Sequence, residues 1–178
     1  LGQANPQQRQ TLVSWMKTLT ILRHAKSSWS ETGLTDRERP LNRRGEKDAP
    51  AMGARINAAG IRPSLIMSSP AVRAWTTAKI VAKEISYPIE FLHREEEMYL
   101  ADVKRLLDLL ARQDNAFNSV MIVGHNPGLT EFANYLLPET TDNIPTCGLV
   151  ALNIETDDWE LWPQKKAELV LYDYPKKE

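Results

Sequence analysis

The stretch "LTILRHAKSSW", residues 19–29, decides the fold class and indicates where the chemistry lies. Its first four residues are apolar or β-branched, which is typical of a short buried strand. Arg23 and His24 follow the strand directly, and Lys26, two serines and a tryptophan come next. A buried strand that ends on two adjacent basic side chains predicts that these side chains lie at the edge of a sheet.

Outward from this stretch, predicted strands and helices alternate along the chain. Strands are predicted at residues 18–22, 65–67, 89–92, 119–123, 148–154 and 167–172. Helices are predicted at residues 43–59, 70–85, 101–112 and 128–137. This alternation is typical of parallel strands joined by right-handed crossovers, with helices on both faces. We therefore predict a three-layer α/β/α fold with a mostly parallel sheet, to which the last two strands are added as antiparallel edge strands.

The chain has 178 residues, of which 42% are hydrophobic, and this is enough for one sizeable core. We predict one domain over residues 16–178 and a disordered lead-in over residues 1–15, which begin with a polar, Gln-rich sequence. The net charge of −1 gives no overall attraction to nucleic acid or to an anionic membrane. Any recognition of an anion must therefore be local.

Cys147 is the single cysteine, so no internal disulfide can form. This usage fits a reducing compartment, and we predict a cytoplasmic protein. No apolar run approaches the roughly 18 residues that span a bilayer, so no membrane partner is expected.

Three predicted strand ends carry chemically suggestive residues. Arg23 and His24 follow the strand at 18–22. The strand at 65–67 leads into a helix whose first turn contains Arg73, and His125 lies between the strand at 119–123 and the next helix. Ligands of such sheets bind beyond the carboxyl ends of the strands, where helix N-termini also favour anions. We predict that these four residues meet at one edge of the sheet.

Four converging basic groups repel one another unless they bind an anion, and arginine guanidinium groups match phosphate oxygens. The group expected there is a phosphoryl group. Positive charge nearby lowers the pKa of His24 and leaves a ring nitrogen with a lone pair near neutral pH. That nitrogen is predicted to attack phosphorus and form a phosphohistidine, which water then hydrolyses. Arg23, Arg73 and His125 are predicted to bind the phosphoryl oxygens and stabilise the transition state.

These motifs resemble those of a known family. "ILRHAKSSW" (21–29) is similar to the Arg-His-Gly signature of the histidine phosphatase superfamily, which includes the phosphoglycerate mutases. "SSPAVRAWTTA" (68–78) resembles its second arginine motif, and "VGHNPGL" (123–129) its second histidine motif. The resemblance runs in the correct order from about residue 18 to 137. With "RPLNRRG" at residues 39–45, the chain most resembles the short SixA-type phosphohistidine phosphatases.

The resemblance implies that His24 is the phosphorylated nucleophile and that Arg23, Arg73 and His125 complete the phosphate pocket. Ala25 stands where the family usually has glycine, and Ser30 stands where phosphoglycerate mutase-like members have a phosphate-binding asparagine. Only 52 positions separate Arg73 from His125, which leaves little chain for a lid and predicts a shallow, open pocket.

The remaining site predictions concern the substrate and the general acid. Substrate contacts are predicted for Lys26, Ser30 and Asn126. Related enzymes use a glutamate from the middle region as the acid, so the candidates are residues 95–97, and we select Glu97. No cofactor is expected, and no spacing typical of a metal site is present.

The leading functional hypothesis is a cofactor-independent phosphatase that acts through a phosphohistidine intermediate, with a phosphorylated histidine of a protein as its substrate. A small-molecule phosphomonoesterase acting on a phosphorylated metabolite is the first alternative. A mutase is less favoured, because a mutase must keep water from its intermediate and the chain lacks lid material. The third hypothesis is a phosphate-binding module without catalysis, although such a module does not require a nucleophile.

Overall fold

The computed structural model describes residues 16–163 and 165–178. The predicted lead-in over residues 1–15 lies outside the described residues. Six strands form one sheet, and their bounds are β1 Met16–Arg23, β2 Leu65–Ser68, β3 His93–Arg94, β4 Ser119–Gly124, β5 Leu149–Glu155 and β6 Ala167–Asp173. The strand order is β3-β2-β4-β1-β5-β6.

Four α-helices connect or flank these strands in the described part of the chain. They are α1 Arg43–Ala58, α2 Val72–Glu84, α3 Val103–Ala111 and α4 Gly128–Leu136. Asn42 and Asp102 cap α1 and α3, because their side-chain oxygens accept hydrogen bonds from the backbone N–H groups of Gly45 and Arg105. All four predicted helices are present, with ends that differ by a few residues from the prediction.

The three-layer α/β/α prediction is confirmed. Alternate residues of β1 point to opposite faces of the sheet: Leu19 and Ile21 pack with α3 and α4, and Leu22 packs with α1 and α2. The same alternation occurs in β4, so the sheet is buried on both faces. This double burial explains why the strands near the centre read as nearly continuous apolar runs.

The sheet is mostly parallel, as predicted: β1, β2, β3 and β4 run in one direction, and β5 and β6 are antiparallel additions. Of these two strands, however, only β6 lies at an edge of the sheet, because β5 pairs with β1 on one side and with β6 on the other.

The predicted strand at residues 89–92 is wrong. Residues Ile89–Phe91 form a 3₁₀ turn, in which Phe91 N–H donates to the Pro88 carbonyl and Leu92 N–H donates to the Ile89 carbonyl. Ile89 and Phe91 are exposed, so these apolar residues are not the buried side of a strand. The edge strand follows this turn as the two residues of β3.

The strand order determines which strand ends lie together at the edge where the candidate site is expected. The three central strands β2, β4 and β1 are adjacent and parallel, with Arg23 level with Gly124 and Ser68 level with Val123. Their carboxyl ends therefore form one continuous edge. Across the described residues, no helix is both long and apolar enough to cross a membrane.

Candidate active site

The four core residues predicted from the sequence lie around one cleft. Arg23 and His24 come from the end of β1, His125 follows β4, and Arg73 lies in the first turn of α2. The cleft has a volume of about 230 Å³, and all four side chains line it. The rings of His24 and His125 lie 5.3 Å apart between centroids.

The backbone of His24 is fixed on both sides. Its N–H donates to the carbonyl of Gly124 at the end of β4, and its carbonyl accepts from the N–H of Cys147 ahead of β5. The next residue, Ala25, donates its N–H to Thr77 Oγ1 of α2. The backbone at the nucleophile candidate is thus held by β4, by the segment ahead of β5 and by one helix.

The His24 ring has a defined tautomer. Its Nδ1 lies 2.7 Å from the carbonyl oxygen of Ala25, which can only accept, so Nδ1 carries the proton. In the neutral ring, Nε2 therefore carries the lone pair. Burial is the main cause that lowers the pKa of His24 to about 4, and the charges of Arg73, Arg23 and Arg39 lower it further. The ring is neutral at physiological pH and can act as a nucleophile through Nε2.

His125 is also buried and neutral. Its pKa is lowered to about 3, chiefly by burial and then by the neighbouring His24 and Arg73. Its Nε2 lies 2.7 Å from the hydroxyl oxygen of Ser69, and the Tyr99 ring meets its ring edge-on at 5.6 Å.

Three buried nitrogen atoms of the cleft residues have no hydrogen-bond partner among the described residues. They are Nε of Arg23, Nε of Arg73 and Nδ1 of His125. Buried polar groups are nearly always hydrogen-bonded in folded proteins, because an unpaired one loses its hydration without compensation. Three such atoms belong to side chains that line one cleft, and this fits a cleft that binds an anion.

A carboxylate that the sequence analysis did not expect lies beside Arg73. Asp36 accepts from Arg73 twice, through its backbone carbonyl at 2.7 Å and through Oδ2 at 3.0 Å. Tyr99 donates to the same Oδ2, and Arg39 Nε donates to Oδ1. Burial opposes ionisation of Asp36, but the hydrogen bonds from Tyr99 and Arg73 outweigh it and lower the pKa of Asp36 to about 2.

The cleft nevertheless keeps a positive charge. Arg23, Arg73 and Arg39 contribute three positive charges and Asp36 contributes one negative charge, so these four groups sum to +2 while both histidines are neutral. Asp36 thus orients Arg73 without neutralising the site.

The mouth of the cleft combines charge with an exposed aromatic side chain. Lys26 lines the mouth and is exposed. Arg39 is buried, donates to Ser27 Oγ at 2.8 Å and lies 3.5 Å from the centroid of the Trp29 ring. Trp29 itself is 77% exposed, so it is accessible to whatever enters the cleft.

The other two predicted substrate contacts are placed differently. Asn126 lines the cleft, but its amide nitrogen donates to Asn143 and Ile144 and its oxygen accepts from Thr130. Ser30 is exposed, is not among the lining residues and shares a hydrogen bond with Ser28. Both substrate contacts stay predictions.

The three glutamate candidates for the general acid lie away from the cleft. Glu97 pairs with Arg112, and Glu96 pairs with Arg37 at 2.7 Å. Glu95 contacts His93 and caps its own turn. None of the three lines the cleft that contains His24. Over residues 16–163 and 165–178, no group of three or more His, Cys, Asp or Glu side chains is placed to hold a metal ion.

Sequence reasoning missed Asp36, Tyr99 and the role of Ser69. Asp36 lies in a polar loop whose path over Arg73 no local pattern reveals. Tyr99 follows the acidic run and gives no periodic signal. Ser69 directly precedes Pro70, and this pattern is typical of a residue that caps a helix beginning at Pro70. Helix α2 begins at Val72 instead, and Ser69 Oγ contacts His125.

Comparison with known proteins identifies the fold and the family of this chain. An uncharacterised chloroplastic protein of Arabidopsis thaliana is 29% identical over 152 residues, which cover 81% of this chain and 69% of that protein. A solved structure from Agrobacterium tumefaciens, assigned as phosphohistidine phosphatase SixA, superposes with a TM-score of 0.77 at 28% identity, covering 89% of this chain and 98% of that one.

The structure of the protein histidine phosphatase SixA in complex with tungstate has the same fold, with a TM-score of 0.74 at 19% identity over 89% of this chain and 97% of that one. The model of the histidine phosphatase superfamily, branch 1, matches residues 19–118, more than half of the sequence. The chain belongs to the histidine phosphatase superfamily.

Proposed function

We propose that this protein is a phosphatase that works through a phosphohistidine at His24 and that acts on a phosphorylated histidine of another protein. The observation that carries the proposal is the set of three unpaired buried nitrogens of Arg23, Arg73 and His125 in the cleft that holds His24. Together they supply donors to a tetrahedral anion, and His24 supplies a nucleophile.

In the first step, the lone pair of His24 Nε2 forms a bond to phosphorus and the bond from phosphorus to the leaving group breaks. His24 keeps its Nδ1 proton, so the phosphorylated ring carries a positive charge. The Ala25 carbonyl oxygen, which lies 2.7 Å from Nδ1 and accepts a hydrogen bond from it, stabilises this charge. The arginines and His125 stabilise the negative charge on the transferring oxygens.

In the second step, water attacks phosphorus and the bond to Nε2 breaks. Because Nδ1 is still protonated, His24 leaves as a neutral imidazole, and the water proton passes to solvent or to the departing inorganic phosphate. The tautomer set by Ala25 therefore makes the ring both a nucleophile in the first step and a good leaving group in the second.

The acid–base groups favour a phosphohistidine substrate over a phosphate ester. An ester needs a proton donor for its alkoxide, yet the three glutamates are elsewhere and the low pKa of Asp36 keeps it ionised. When the ring of a substrate phosphohistidine is protonated, its imidazole leaves as a neutral group. Transfer of the phosphoryl group to His24 then exchanges one P–N bond for another. The assignment of the Agrobacterium relative as a phosphohistidine phosphatase supports the same substrate class.

A competition experiment tests the substrate class. A protein carrying phosphohistidine is mixed with a panel of phosphomonoesters, and kcat/KM is measured for each substrate with the natural chain and with Glu97→Gln. We expect the phosphohistidine protein to be favoured by at least about tenfold, and the Glu97→Gln variant to behave like the natural chain.

Two results would redirect the proposal. Preferential ester hydrolysis that depends on one of the three glutamates would establish the phosphomonoesterase alternative. Binding of inorganic phosphate without turnover of any substrate would establish the non-catalytic module. The cytoplasmic location inferred from cysteine usage stays a prediction.

A further inference from the structure

Ser69 lies directly behind His125 and has not yet been given a function. It is fully buried at the end of β2, and its Oγ lies 2.7 Å from Nε2 of His125. The same oxygen accepts a hydrogen bond from the N–H of Ala71 at 3.2 Å. These are the two hydrogen bonds that Ser69 Oγ makes with the described residues.

The chemistry of the pair allows two proton arrangements. A serine hydroxyl has one proton to donate, and a neutral imidazole has one N–H and one lone pair. Either Ser69 donates to Nε2, so that Nδ1 carries the imidazole proton, or Nε2 donates to Ser69, so that Nδ1 carries a lone pair. Because the oxygen already accepts from Ala71, both arrangements fit the distances.

The two arrangements differ in the number of buried polar groups that they leave without a hydrogen-bond partner. If His125 donates to Ser69, the serine proton is buried without an acceptor and the Nδ1 lone pair is buried without a donor. If Ser69 donates to His125, only the Nδ1–H is unpaired, and it belongs to a ring that lines the cleft. An anion in the cleft accepts a hydrogen bond from that N–H, whereas a lone pair at Nδ1 would repel the anion.

We propose that Ser69 is a positioning residue that donates its hydroxyl proton to Nε2 of His125 and so holds His125 as the Nδ1–H tautomer, a donor to the phosphoryl group. The proposal rests on the proposed function in naming the anion as a phosphoryl group. Ser69 acts through His125 and does not itself contact the substrate.

The chain offers a matched control. Ser68 precedes Ser69, is equally buried, and donates its hydroxyl to the Ser69 carbonyl at 2.9 Å. Ser68→Ala therefore removes a buried hydroxyl from the same strand end without touching His125. Any effect of Ser69→Ala that Ser68→Ala does not share reports on the contact with His125.

The direct measurement is nitrogen-15 NMR of the full chain labelled at its three histidines, which reports which ring nitrogen carries the proton. At neutral pH we expect the Nδ1–H form of His125 in the natural chain and in Ser68→Ala, and loss of that single form in Ser69→Ala. In parallel, Ser69→Ala should lower kcat/KM and weaken binding of inorganic phosphate, each by roughly tenfold to a hundredfold, whereas Ser68→Ala changes both by only a few fold.

An Nε2–H form of His125 in the natural chain overturns the proposal, and this result does not depend on how the variants fold. So does a Ser69→Ala variant that loses activity with the His125 tautomer unchanged, or that changes tautomer with phosphate binding unchanged. The NMR result stands apart from catalysis, because a chain that binds phosphate but turns over no substrate would refute the proposed function and leave the tautomer measurement intact.

Discussion

Asp36 is a hydrogen-bond partner that two cleft arginines, Arg73 and Arg39, share. It accepts from Arg73 and Arg39 and from the Tyr99 hydroxyl, whose ring packs against His125. It also offsets part of the positive charge in the cleft. Its two effects on the site are therefore opposite in sign: it positions the donors and weakens the attraction for an anion.

Because the two effects are opposite, we predict that Asp36→Asn changes kcat and KM differently. The variant keeps the shape of the side chain but removes its charge, so Arg73 loses a charge-assisted hydrogen bond while the cleft gains one positive charge. We expect kcat to fall by about tenfold and KM to stay level or decrease. Steady-state kinetics with a phosphohistidine protein measure both.

The control for this variant is Asp108→Asn, which breaks an exposed pair with Lys104 and should leave both constants unchanged. A rise in KM with kcat preserved would show that Asp36 contributes to binding and not to orientation, contrary to this account.

Helix α1 packs close to the loop that follows His24, and this close approach requires a residue without a side chain at Gly45. A Cβ at this position would lie 2.1 Å from the carbonyl oxygen of Lys26. That same carbonyl accepts from the N–H of Asn42, the residue that caps α1. The start of α1 and the loop that contains Lys26 are therefore one packed unit, and a shift in one displaces the other.

We expect Gly45→Ala to destabilise the protein although alanine favours helix formation over glycine by about 1 kcal/mol. The clash is with backbone, which cannot rotate away, and overpacking of this kind costs about 1 to 3 kcal/mol. The free energy of unfolding in urea should decrease, and kcat/KM should decrease with it.

Gly124→Ala is the control for Gly45→Ala. It is another glycine beside the site, but a Cβ there meets nothing closer than 3.6 Å. Its free energy of unfolding should change much less than that of Gly45→Ala. If Gly45→Ala proves as stable as the natural chain, α1 and the loop are not packed together as described.

At the scale of the whole molecule, the two buried histidines make stability depend on pH. Their pKa values, about 4 for His24 and about 3 for His125, are lowered from the ordinary 6.5. Between these values and 6.5 the unfolded chain binds protons that the native chain does not. The native state is therefore favoured above pH 6.5 and loses stability as the pH falls toward 4, by on the order of 1 kcal/mol per pH unit for each histidine.

Urea unfolding at pH 7, 5.5 and 4.5 measures this slope. A double variant with asparagine at positions 24 and 125 should lose most of the dependence between pH 6.5 and 4. His93→Asn is the control, because His93 is exposed and should leave the slope unchanged. An equal slope in all three chains would mean that neither cleft histidine is buried in its neutral form.

Much of this molecule follows from its sequence, because the decisive signals are local. The strands predicted at 18–22 and 119–123 are mostly apolar or β-branched, and the residues that follow them lie together because parallel neighbours end at one edge. Asp36 could not be predicted, since Arg73 and Tyr99 are 37 and 63 positions away from it and the polar segment in which it lies has no periodicity. The turn at 89–91 was misassigned because its apolar residues are exposed, which composition alone does not reveal.

The central claim is that His24 carries the phosphoryl group during turnover. The most direct measurement is to mix the chain with a radiolabelled phosphohistidine protein, quench in alkali and map the labelled peptide. The account predicts an acid-labile label on His24 that is present in His93→Asn and missing from His24→Asn, together with loss of turnover in His24→Asn only. Label on His125, an acid-stable label on a hydroxyl side chain, or substantial turnover by His24→Asn would contradict it.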